Sequence, residues 1–233
     1  MSTILAIETA TSSCSAALRI DGAVVVRSEI GNNLHSQVLL GMVDSLLTQA
    51  RLSPQALDAV AVGQGPGSFT GLRIGVGVGQ GLAFGANCPM IGISSLDALA
   101  LQAQGDHSVI AAIDARMGEV YWCEYKKIAD QIERLSNVQV TPPADVKFST
   151  TDISRSIVGN AWSAYPDQFS VLSDNVVEVQ STIIYPCAGS LLCLAEDQYK
   201  QKIWQPAAIF APIYVRNDVA KKSTKKLPGR RPE

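Results

Sequence analysis

Apolar and polar positions change period twice in the first hundred residues, and each change marks an element. Ile4–Ile7 is a short run of strand formers closed by the hydroxyl cluster Thr9–Ser13. Ala16–Ile20 and Ala23–Val26 then flank Asp21-Gly22, a two-residue hairpin signal. From Leu34 the spacing becomes helical: Leu34, Val38, Leu39, Met42, Val43, Leu46, Leu47 and Ala50 form a wide apolar stripe. Ser53-Pro54 reads as the cap and first-turn proline of a short helix. Ala59–Val62 is a buried strand, a glycine-rich run follows it, and Met90–Ile93 is another strand. Ser94 or Ser95 then caps a helix to about Ala103. Strands in hairpins followed by strands alternating with helices describe a mixed sheet with an antiparallel edge and a parallel remainder.

The same order restarts further on. Val109–Ile113 and Glu119–Tyr125 flank Ala115–Gly118, and a third strand runs over Glu133–Val140. Beyond Pro142-Pro143 the pattern loosens, with a strand at Ile157-Val158, an aromatic loop around Trp162 and Tyr165, and a helix near Ala188–Tyr199. The residues of the two halves do not match; only the order of elements repeats. Two lobes follow, 1–105 and 106–216, with a tail at 217–233.

Composition changes this picture little, but charge adds to it. Hydrophobic residues make up 47% of the 233 and charged residues 17%, as in an ordinary globular chain, with a net charge of -2. From Arg216 to Glu233, seven Lys/Arg stand against Asp218 and Glu233, so that segment is net +5 and the rest of the chain net -7. Such a tail is expected to be disordered, serving solubility or touching RNA phosphates. The chain opens without a signal-peptide pattern, and no apolar run approaches the ~18 residues of a spanning helix. Five cysteines, odd in number and without Cys-x-x-Cys spacing, read as free thiols in a reducing cytoplasm.

Nine of the eighteen glycines fall between Gly63 and Gly85. A phosphate loop ending in Gly-Lys-Ser/Thr is excluded, because no lysine precedes Lys126. Gly75, Gly77, Gly79 and Gly81 are spaced by two and miss the dinucleotide register. Gly65-Pro66-Gly67 reads instead as a turn, with Ser68 or Thr70 capping a helix to about Phe84. On that helix Gly71, Gly75 and Gly79 form one smooth stripe, and Gly77, Gly81 and Gly85 a second. Each interior glycine costs about 1 kcal/mol against alanine, which close packing on two sides would offset. A glycine-rich strand is the alternative, and a capped helix start can still hold a phosphate.

Four stretches carry a family resemblance: Ile4–Thr11 (ILAIETAT), Gly65–Arg73 (GPGSFTGLR), Ala111–Trp122 (AAIDARMGEVYW) and Pro212–Asn217 (PIYVRN). The chain resembles the TsaB family, also called YeaZ, and within it the gamma-proteobacterial members. The resemblance implies an α/β fold of two lobes, of the actin/sugar-kinase/heat-shock ATPase-like (ribonuclease H-like) type, with mixed sheets flanked by helices. It implies a role in forming N6-threonylcarbamoyladenosine next to the anticodon of tRNAs that read A-starting codons. The related TsaD transfers the group, the ATPase TsaE joins the assembly, and TsaB binds TsaD without a catalytic centre of its own.

The residues were weighed against that implication. TsaD-like members hold a metal with His-x-x-x-His, but here only His35 and His107 occur, and Leu39 stands four residues after His35. The first phosphate turn reads Glu8-Thr9-Ala10-Thr11, with alanine where a glycine would let backbone approach a phosphate. Glu8 is then a structural carboxylate or a metal-organising acid, and Asp114 with Arg116 a hairpin brace or a second acid. Arg73 anchors a partner carboxylate or sits at the surface. Ser12 and Ser13 have no histidine pattern beside them, so no hydrolytic nucleophile emerges.

The expectation is therefore a partner subunit with no catalytic, metal or cofactor residues, ATP entering only at a partner interface. Its predicted contact surface joins Leu39, Met42, Val43, Leu46 and Leu47 to Gly71, Arg73, Gly75, Val76 and Gly79 in one exposed apolar face. Two copies would pair there, and a TsaD homologue would replace the second copy. An ATP-dependent phosphotransferase acting alone, with Glu8 and Asp114 as its acids, is the rival; tRNA contact through the tail and Lys126-Lys127 is a third reading.

Overall fold

The computed structural model describes residues 2–20, 23–149, 154–170 and 177–216. In chain order the first lobe has strands β1 (Ile4–Glu8), β2 (Ser13–Ile20) and β3 (Ala23–Ile30), then helix α1 (His35–Ala50). Strand β4 (Ala59–Gly65), helix α2 (Phe69–Ala86), strand β5 (Met90–Ser94) and helix α3 (Ser95–Ala100) follow. Pro54–Ala56 forms a single 3-10 turn between α1 and β4. The sheet order is β3-β2-β1-β4-β5, with β1 to β3 antiparallel and β4 and β5 parallel to β1. Central β1 is apolar at consecutive positions because both of its faces are covered. Leu5 and Ile7 face α1 and α2, while Ile4 and Ala6 face the opposite layer.

The second lobe contains β6 (Ser108–Asp114), β7 (Val120–Ile128), β8 (Gln131–Arg134) and β9 (Gln139–Thr141). It continues with β10 (Arg155–Val158), α4 (Ala161–Ala164), β11 (Val177–Val179) and α5 (Ala188–Lys200). Its sheet runs β11-β10-β6-β7-β8 with β9 also on β7. Read from its own first strand this is the order of the first sheet, so the repeat of elements in the sequence is a repeat of topology.

Three boundaries differ from the sequence pattern. The strand expected over Glu133–Val140 is two, β8 and β9: Arg134 pairs with Tyr125 and Gln139 with Trp122, so four residues oppose two. In that bulge the Ser136 hydroxyl takes the place of a ladder carbonyl and accepts from the Glu124 N–H at 3.0 Å. Helix α3 stops at Ala100, short of Ala103. The cut at 105/106 does not follow the packing either. Helix α5 lies on the first sheet, with Ala188, Leu191, Leu192 and Ala195 against Ile4, Ala6 and Ile91, while Leu96 and Leu99 of α3 pack on the second. The two lobes interlock by each covering the other's sheet. The tail at 217–233, with its charge reading, lies outside the described residues.

Candidate functional site

Helix α2 starts where the sequence places it, at a cap: the Ser68 hydroxyl accepts from the Gly71 N–H at 3.3 Å. The inward glycines explain why the run cannot hold larger residues. A methyl at Gly67 would strike Ala10, and one at Gly71 or Gly75 would strike Thr9. At Gly79 it would lie 2.7 Å from Val62 and 2.9 Å from Met90. This proximity lets the Ser68 N–H donate to the Ala10 carbonyl at 2.6 Å and Thr9 Oγ1 donate to the Gly71 carbonyl at 2.9 Å. The β1–β2 turn is thus sealed against α2 on its inner side, while Ala10, Thr11 and Ser12 also line open space.

Glu8 lies behind that seal, fully buried. Its Oε1 accepts from the Ala10 N–H at 2.7 Å and its Oε2 from the Ser95 hydroxyl at 2.8 Å. Burial pushes its carboxyl above the ordinary value of 4.5, and the bonds from Ala10, Ser95 and Thr9 pull the other way. Both Glu8 oxygens are thus spent inside the protein, on the turn and on the start of α3.

Between the lobes opens a cleft of about 690 Å³, reaching from the β1–β2 turn and the start of α2 to the end of β6. On the far wall Asp114 Oδ1 accepts from the Arg116 N–H at 2.8 Å and from the Tyr165 hydroxyl at 2.9 Å. Its Oδ2 lies 3.4 Å from the Arg116 guanidinium, so the pair braces the β6–β7 hairpin. Burial, and then Asp114, hold the Tyr165 phenol above its usual range. Both histidines have bonded rings: His35 Nε2 lies 2.8 Å from the Thr11 carbonyl and His107 Nε2 2.7 Å from Ser156 Oγ. Among the described residues no three His, Cys, Asp or Glu side chains come close enough to share a metal.

A strap over residues 211–216 closes the cleft's edge. Gln64 Nε2 donates to the Ala211 carbonyl at 2.7 Å, and the Ile213 N–H donates to the Gln64 carbonyl at 2.8 Å. Arg216 then crosses to the hairpin, donating to the Ala115 carbonyl at 3.1 Å and pairing with Glu119. Gln64, Tyr214 and Arg216 had no role in the sequence reading, where Arg216 counted only toward the charge of the tail. Tyr214 and Arg216 lie in the PIYVRN motif and Gln64 in the glycine-rich run, and neither pattern marks the contact between the two segments.

The predicted contact surface is corrected. Leu39, Val43, Leu46, Leu47 and Val76 are buried in the core against β1, β2 and β4, and Met42 packs half-buried against them. Gly71, Gly75 and Gly79 face the same sheet. A stripe wide enough to cover a two-stranded surface is what an α-helix needs to seal its own sheet, so its width gave no sign of a partner. Of the predicted residues, Arg73 is the one fully exposed. The outer face of the helix pair is made of others. Leu40 is exposed, Val38, Ile74, Val78 and Leu82 are half-buried, and Gly41, Gly77, Gly81 and Gly85 have open space where a side chain would stand.

Comparisons with known proteins agree with this architecture. Residues 25–224 match the family model described as TsaD, tRNA N6-adenosine threonylcarbamoyltransferase. The chain is 40% identical over 233 residues to the tRNA threonylcarbamoyladenosine biosynthesis protein TsaB of Escherichia coli (strain K12), covering 97% of this chain and 99% of that one. It is 39% identical to the protein of the same name from Haemophilus influenzae, covering 98% of each. A solved structure, YeaZ from Pseudomonas aeruginosa, superposes with a TM-score of 0.85 at 37% identity, covering 92% of this chain and all of that one. Full-length identity at this level, on a chain with the same two-sheet architecture, places it in the TsaB (YeaZ) family.

Proposed function

We propose that this chain is a non-catalytic subunit in N6-threonylcarbamoyladenosine formation on tRNAs reading A-starting codons, and that it acts by binding a TsaD homologue. The observation that carries the subunit role is the outward glycine row on α1 and α2. Gly77 and Gly81 each cost about 1 kcal/mol in a helix, and among the described residues nothing lies within 4 Å of where their side chains would stand. Glycines on an apolar helix face let a second pair of helices come close. A TsaD homologue fits there, and in its absence a second copy of this chain forms a homodimer.

The absence of an enzymatic role in this proposal rests on geometry. Glu8 faces the protein interior and Asp114 is committed to Tyr165 and Arg116, so no free pair of acids faces the cleft. We place ATP and TsaE at the assembled complex rather than on this chain alone, and the complex in the cytoplasm. No helix among the described residues is long and apolar enough to cross a membrane.

Light scattering on a sizing column tests this with the protein, its TsaD homologue and their mixture. The parent gives a 1:1 complex at the expense of homodimer. Gly77→Glu leaves the melting temperature in place and prevents the complex. A Gly77→Glu chain that still binds TsaD as the parent does refutes the surface; a parent that never binds refutes the subunit role.

A further inference from the structure

We propose that the mouth of the cleft is a stacking site for an unpaired base of single-stranded RNA, built by Phe69 and Tyr214 with Arg73 placed for a flanking phosphate. It rests on the reading above, that the chain works on tRNA with a transferase, and names the part of the RNA that it touches.

Phe69 opens α2 and Tyr214 sits on the strap, so two elements far apart in sequence bring the rings to 5.6 Å, tilted by 34°. Both remain in solvent, Phe69 at 56% and Tyr214 at 43% exposure. Arg73, one helical turn after Phe69, lays its guanidinium 3.2 Å from the Phe69 ring centre and 5.4 Å from that of Tyr214. None of the ion pairs among the described residues includes it, so its charge is not spent on a carboxylate. Every base has a π-face that stacks on aromatic rings and guanidinium planes, whereas arginines flank it as phosphate contacts.

The wall behind the rings separates RNA from an acidic or apolar peptide. It is lined by Thr11, Asn32, Asn33 and Asn160, amides and a hydroxyl that suit base edges and ribose hydroxyls. Its acid, Asp114, is occupied by Tyr165 and Arg116. The volume of about 690 Å³ admits a nucleotide-sized ligand. A free nucleotide presents the same base, but an RNA loop adds a neighbouring phosphate for Arg73.

The test is fluorescence anisotropy on the full chain with a labelled anticodon stem-loop from a tRNA that reads A-starting codons. Phe69→Ala and Tyr214→Ala are each expected to weaken binding about tenfold, and Phe69→Trp to retain it. Arg73→Ala is expected to flatten the slope of log K against log salt by about 0.7. Because both rings are exposed, circular dichroism and melting temperature stay at parental values. Several results overturn the site: a parent that does not bind the stem-loop, Phe69→Ala binding as the parent does, or AMP displacing the stem-loop at comparable concentration. Phe69→Ala that spares RNA affinity but loosens the complex with the TsaD homologue also overturns it, making the surface a protein contact. A parent that activates its TsaD homologue while these variants bind RNA unchanged removes the stacking site and leaves the t6A reading standing. Variants that lose RNA binding support the site even where no t6A forms.

Discussion

The two glycine stripes of α2 make opposite predictions for one substitution on one helix. At Gly77 and Gly81 an added methyl meets nothing within 4 Å. Alanine there recovers helix propensity, about 1 kcal/mol at each site, which for a chain of this size is roughly 2–4 °C in Tm per site. At Gly71 the methyl would run into the Thr9 carbonyl, which is backbone and cannot swing aside. Forcing it in costs about 1–3 kcal/mol and weakens the 2.9 Å bond from Thr9 Oγ1 to Gly71, worth about 1 kcal/mol more. Set against the gain in propensity, Gly71→Ala loses about 1–3 kcal/mol, or roughly 2–12 °C. The assay is thermal unfolding followed by circular dichroism, at a dilution where light scattering shows monomer. Gly77→Ala melting below the parent, or Gly71→Ala melting at or above it, refutes the assignment of inner and outer stripes. If the outer row exists for a partner helix, Gly77→Ala raises monomer stability and lowers affinity for the TsaD homologue in the same protein. A propensity effect alone produces the first change without the second.

Two further outcomes follow from burial. Leu46→Ala, on the stripe once expected to face a partner, empties a fully buried site and costs the monomer about 2–5 kcal/mol, read as the midpoint of urea unfolding; a midpoint unchanged in the monomer returns that stripe to the surface. Glu8 has a folded pKa above its ordinary 4.5, so its contribution to stability is present below about 4.5 and is lost as pH rises through the raised value. Glu8→Gln is therefore expected to gain stability relative to the parent as pH rises above about 4.5, and a difference that stays constant with pH in urea titrations contradicts the burial argument.

How much the sequence discloses depends on whether its signal is local. Helix α2 was legible because its cap, its turn and its glycine spacing lie within twenty residues of one another, and each bears on the same helix. The repeated sheet order was legible for the same reason, since Asp21-Gly22 and Ala115–Gly118 announce their hairpins locally. The direction a face points was not legible. Leu39, Val43, Leu46 and Leu47 look alike whether they meet a sheet of the same chain or a helix of another, and only the placement of β1, β2 and β4 beneath them decides it. The exchange of α3 and α5 between sheets leaves no trace in hydrophobic period either, because an amphipathic helix carries no record of which sheet it covers. Strap and cleft fall into the same class: Gln64 and Ala211 meet across 147 positions, and no spacing rule reaches that far.

These long-range contacts also tie the end of β1 to the two helices beside it. The carboxylate at the end of β1 is kept, but its oxygens hold Ala10 and Ser95, so it fixes the turn to the start of α3. The β1–β2 turn packs on the inward edge of α2, and the glycines there leave no room for a methyl group. Moving the inner face of α2 would also move the outer glycine row that we assign to the partner. The inner and outer stripes are opposite faces of one rigid helix. A change that shifts the inner stripe against the β1–β2 turn therefore also shifts the outer row, so the fit of α2 to its own sheet sets where the proposed docking face stands.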